Sequence, residues 1–128
     1  MKKLVLLTVC ICLLTLSLAS CAHINTYKNN LQPNYRISSI NKHELAEIGD
    51  FFLLDPRDYK IKSAAEGHNE EEDLGIIIFE CASLQHARAL TKDIAWAIED
   101  YDEFEVVGVG RFVFFGHGDA IDTALCNK

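Results

Sequence analysis

Histidine, cysteine and carboxylate side chains are where a small domain would do chemistry, and in this sequence they are scattered. The five histidines stand singly at positions 23, 43, 68, 86 and 117. No two share the i, i+4 spacing of a helical metal site. The nearest thing to a constellation is Gly116-His117-Gly118-Asp119. Flanking glycines let a backbone approach a ligand, and histidine beside aspartate could exchange protons near neutral pH. The same four residues also suit a strand-to-helix turn, with glycine for backbone freedom and Asp119 as the helix cap. The turn is the expected reading. The carboxylate run Glu70–Asp73 lacks the alternating spacing of a calcium loop and reads as solvated surface. With no nucleophile elbow and no phosphate-cradling glycine loop, the residues predict no enzyme, no metal and no cofactor.

The elements that would position such groups follow from caps and periodicity. Asn41, with Glu44 three residues on, opens a helix over 42–48 that Gly49 ends. Phe51–Leu54 reads as a strand, Asp55-Pro56-Arg57-Asp58 as a type I turn, and Tyr59–Lys62 as a returning strand. Ser63–Asp73 then reads as an acidic surface loop. Leu74–Glu80 is apolar on both faces, as a central buried strand must be.

Ser83 caps the clearest helix, 84–98, whose Leu84, Ala87, Leu90, Ile94 and Ile98 share one face. Its outer face carries Arg88, Lys92 and Trp96, with Trp96 opposite the apolar stripe. A tryptophan there is either covered by another part of the chain or offered to a partner, where aromatics make good anchors. A strand over 104–115 follows, with Gly108 and Gly110 marking a bulge or a close backbone approach. A short helix over 120–126 ends the chain. Strand, helix, strand across 74–115 is a βαβ unit. The expected class is α+β: a small two-layer sandwich with a mixed three- to five-stranded sheet and helices mainly on one face.

The start of the chain carries a different kind of signal. Lys2 and Lys3 precede an apolar run, Leu4–Leu18, about 22 Å long as a helix and short of the ~20 residues that span a bilayer core. Small residues and a cysteine close it: Leu18-Ala19-Ser20-Cys21. This segment resembles the lipobox signal of bacterial lipoproteins. The resemblance covers residues 1–21 and implies that 1–20 is a cleaved signal peptide and that Cys21 carries lipid. It implies an envelope location, and Ala22 rather than aspartate after the cysteine implies the outer membrane facing the periplasm. Multiple acyl chains anchor stably where one does not. Residues 21–35, polar and asparagine-rich, then read as a tether, and 36–128 as a single globular domain.

Loss of Lys2 and Lys3 from the twelve basic residues leaves ten against nineteen acidic ones, a formal charge of −9. Such a chain repels nucleic acid and anionic head groups, so the lipid is its evident membrane attachment. With Cys10 and Cys12 in the signal and Cys21 lipidated, Cys81 and Cys126 remain. In an oxidising compartment they either pair as a disulfide, worth roughly 3–4 kcal/mol for a loop of about 45 residues, or stay as two buried thiols. The expected function is a membrane-tethered periplasmic binding or structural lipoprotein with a protein partner. The alternative is a protective lipoprotein, an immunity protein or inhibitor acting against an envelope-attacking toxin or hydrolase.

Overall fold

The strand β3 (Leu74–Cys81) organises the domain. Ile76 and Ile78 point to one face of the sheet, Ile77 and Phe79 to the other, and both faces are packed with apolar side chains. In the computed structural model, which describes residues 23–126, β1 (Arg36–Ser39), β2 (Ile61–Asn69), β3, β4 (Glu105–Val109) and β5 (Phe112–Gly116) form one sheet. The order is β1-β2-β3-β5-β4, and every neighbouring pair is antiparallel.

Because β3 and β5 are apolar on both sides, both faces need cover. Helices α2 (Lys42–Phe52) and α3 (Leu84–Ala97) pack on the face of Phe79, Val113 and Phe115. Helices α1 (Ile24–Leu31) and α4 (Gly118–Leu125) pack on the face of Ile78, Phe112 and Phe114. The class is α+β, as expected, but the helices do not sit mainly on one face. They form a layer on each side, giving three layers.

The βαβ unit is present in a split form. β3 and β4 run in the same direction with α3 as the crossover, and β5 lies between them. The stretch read as one strand over 104–115 is a hairpin. Val109 pairs with Phe112, and Gly110 takes φ +59 at the first position of the two-residue loop, where hairpins favour glycine. The fold-back slots β5 beside β3 and makes the pairing antiparallel throughout instead of mixed. Gly108 is the close approach: a Cβ there would lie 2.7 Å from Thr91 Oγ1 of α3.

Three other segments depart from expectation. The helix opened by Asn41 and Glu44, with the capping box in place, runs on to Phe52, so no strand forms over 51–54. Gly49 does not stop it. A Cβ at Gly49 would lie 2.6 Å from the Leu54 carbonyl oxygen, so glycine there admits the chain reversal, while Leu53 in the left-handed region (φ 59) ends the helix. Asp55–Asp58 is the tight turn expected, continued as a short 3-10 helix over Pro56–Tyr59.

The acidic segment read as a loop from Ser63 is β2 as far as Asn69, hydrogen-bonded on both edges to β1 and β3. Turn residues 70–73 remain, and the Asn69 side chain accepts from the backbone N–H groups of Glu71 and Glu72. The polar segment read as a tether is helical over α1. Its Tyr27 and Leu31 are buried against the sheet, and Asn30 Nδ2 donates to the Ala124 carbonyl at 2.8 Å. Among the described residues, no helix is long and apolar enough to cross a membrane.

Candidate functional site

Helix α3 follows the cap and most of the apolar face expected of it, except that Leu84, expected on that face, is 45% exposed. The Ser83 hydroxyl accepts from the His86 backbone N–H at 3.2 Å and caps it. Ala87, Leu90, Ile94 and Ile98 are buried on the inner side. Two side contacts hold the helix in place. Tyr59 donates its hydroxyl to Asp93 at 2.6 Å, and burial together with that acidic partner pushes the Tyr59 pKa above its ordinary value. Thr91 closes against Gly108 of β4. The outer side is therefore a rigid surface.

Trp96 on that surface is 77% exposed, so no described residue covers it. Arg88 and Lys92, two turns and one turn back, are also exposed. Neither is within salt-bridge distance of a carboxylate among the described residues. The cation found over an aromatic ring is Arg111, 5.6 Å from the Phe112 centroid, rather than Arg88 or Lys92 over Trp96. The result is an indole with two cations along one helical ridge, all open to a partner. A flat aromatic with little rotamer freedom is what a protein interface uses as an anchor, and the flanking cations favour a partner with carboxylates around the receiving pocket.

The glycine-flanked His117 is placed differently. It is the N-cap residue of α4, without a side-chain cap bond. Its Nδ1 accepts from the Gly75 N–H at 2.9 Å, and its own N–H donates to the Gly75 carbonyl at 3.0 Å. With Nδ1 accepting, the neutral ring carries its proton on Nε2. The ring lies 5.0 Å from that of Phe104. Asp119, expected as the cap, sits in the first turn of α4 and is exposed. The two side chains are not joined by a hydrogen bond; His117 latches α4 to β3.

Sequence reasoning missed one close pair, the Ser83 hydroxyl 2.6 Å from His86 Nδ1. A serine three residues before a histidine at a helix start was the available signal. Among the described residues, no three His, Cys, Asp or Glu side chains converge as a metal site would require.

The cysteine pair resolves as two free thiols. Cys81 is buried at the end of β3 on the α2–α3 side of the sheet, and Cys126 is exposed at the C-cap of α4 on the other side. The sheet separates them, so the disulfide does not form. Burial, with Glu80 adding to it, pushes the Cys81 thiol up to about 11, which leaves little thiolate at neutral pH. In the native chain, iodoacetamide is expected to modify Cys126 and spare Cys81 until denaturant is added. Peptide masses at these two positions should be unchanged by prior reduction. Protection of Cys126 that reductant releases would contradict the arrangement.

No family model, no curated protein and no solved structure matches this chain.

Proposed function

We propose that this chain is a lipoprotein of the bacterial envelope, held through lipid on Cys21 at the periplasmic side of the outer membrane, and that its domain is a non-enzymatic binding or structural module for a protein partner. The observation that carries the binding part is Trp96, 77% exposed on a helix fixed by its cap and by the Tyr59–Asp93 bond. Exposed tryptophan on a rigid ridge stabilises little in the free domain. It suits an interface in which Trp96 enters an apolar pocket and Arg88 and Lys92 meet acidic rim residues.

Crosslinking in the envelope from a photoreactive residue at Gln85, on the same helix, tests the proposal. Trp96→Ala is expected to leave the unfolding midpoint unchanged and to weaken the captured partner at least about 30-fold, as loss of a hot-spot aromatic does. A Trp96→Ala chain that keeps every partner at full yield sinks the Trp96 surface as the binding site.

A second reading, a protective lipoprotein against an envelope-attacking hydrolase, draws on a different feature. The carboxylates of turn 70–73 and of the connection from Glu99 to Glu105 sit at one end of the sheet, where Glu105 pairs with Gly116 and Gly116 with Ile76. Such an end suits a basic enzyme. Under this reading Glu71→Lys with Glu72→Lys abolishes protection, whereas Trp96→Ala does not.

A further inference from the structure

The charge of the domain is segregated along the strands, and helix α1 turns its N-terminus toward the less acidic end. The end that holds turn 70–73 and the connection from Glu99 to Glu105 is acidic; its Arg36 and His68 are engaged by Glu70 and Asp73. At the opposite end are the start of β2, the end of β3 and the β4–β5 turn. The Lys60 carbonyl accepts from Ala82 N–H there, and the Arg111 carbonyl accepts from Cys81 N–H. Lys60 and Lys62 are exposed and make no ion pair among the described residues. Lys62 is the extra residue of a bulge, between the pairs Ile61–Cys81 and Ser63–Glu80. Of the carboxylates at this end, Asp55 is bound by Arg57 and Glu80 by Arg111, while Asp58 and Asp50, the latter on the same groove as Lys42 and Lys60, are exposed.

The same end is also apolar on its surface. Leu53, 89% exposed, borders an open groove of about 1040 Å³ together with Leu54, Pro56, Ile61 and Lys60.

Helix α1 approaches this end with its N-terminus. Leu31 packs beside Gly67, towards the acidic end, whereas Tyr27 packs on Phe112 at 5.0 Å, next to Arg111. One turn further back, Ile24 packs against the same cluster. From Ile24 to Cys21 is three residues, at most about 10 Å of extended chain.

We infer that the end of the domain carrying Lys60, Lys62 and Leu53 sits directly on the phospholipid surface, with the acidic end and Trp96 facing away. This rests on the proposal that Cys21 carries the lipid. A three-residue link from a docked helix cannot hold the domain clear of the bilayer. Rotation of the acidic end away from anionic head groups is electrostatically favoured. Lysines flanking exposed aliphatic side chains form a surface that suits the interface between phosphate and acyl layers.

The test is lysine footprinting by mass spectrometry on the full-length, envelope-purified protein. It is reconstituted in vesicles of phosphatidylethanolamine and phosphatidylglycerol and compared with the detergent-solubilised chain. Lys60 and Lys62 are expected to label about fivefold more slowly in vesicles, with Lys92 on α3 unchanged as internal standard. An intact mass without acyl chains overturns the anchor and this seat with it. An acylated chain in which Lys60 and Lys62 label equally in both settings, or in which Lys92 is the protected residue, overturns the seat alone.

Discussion

Gly116→Ala is expected to destabilise the domain by about 3–5 kcal/mol, a large part of the 5–15 kcal/mol that holds a typical domain together. Gly116 ends β5 with φ +152, and a Cβ there would lie 2.2 Å from the Gly75 carbonyl oxygen and 2.8 Å from Ile76 Cα. Both neighbours are backbone of the central strand, so neither can rotate aside. Relief requires β5 to part from β3, which also strains the His117–Gly75 latch. Urea unfolding monitored by circular dichroism measures the effect. Gly110→Ala is the control: its φ is +59 but nothing lies within 4 Å. It should cost only the backbone strain, about 1–2 kcal/mol. Equal midpoints for the two variants would show that β5 does not approach β3 as described.

The second large effect concerns α1. Tyr27→Ala combined with Leu31→Ala is expected to remove about 4–7 kcal/mol, somewhat less than two independent core truncations because the residues are neighbours on one helix. Tyr27 packs edge-on against Phe112 and Phe114 at 5.0 and 4.8 Å, and Leu31 is 2% exposed. Without them the second face of β3 and β5 opens to water, and loss of cooperative folding in urea is the expected readout. A segment acting only as a tether would leave the midpoint where it was. The comparison therefore separates a domain that starts at Ile24 from one that starts at Arg36.

Some of this was legible in the residues. Asn41 with Glu44, and Ser83 before the apolar stripe of α3, are caps whose donors and acceptors lie within four residues of one another, so spacing alone locates both helix starts. Trp96 could be placed opposite that stripe for the same reason. Whether anything covered it could not be read from the chain, because the cover would have to come from residues distant in sequence. β2 was hidden by its small and polar composition: Ala64, Ala65 and Gly67 are buried, yet they carry none of the branched bulk that marks a strand. β2 exists because β3 and β1 supply hydrogen-bond partners on both edges. The polar α1 was hidden in the same way, since only Tyr27 and Leu31 carry its buried face.

By itself the sequence determined the Asn41 and Ser83 caps, the inner face of α3 from Ala87 on, the turn at Asp55–Asp58 and the two-sided apolar character of β3. Each depends on contacts a few residues apart. Only the tertiary structure decided that β5 lies between β3 and β4, that Cys81 and Cys126 are parted by the sheet, and that the carboxylates of 70–73 and 99–105 gather at the end opposite Lys60 and Lys62. Those outcomes follow from burying both faces of β3 and β5 at once, a condition that couples residues 24 to 125 and that no local window contains. An overall excess of carboxylates predicted repulsion from a membrane. Strand order turns that excess into a direction, with the acidic end opposite the end that the N-terminus of α1 faces.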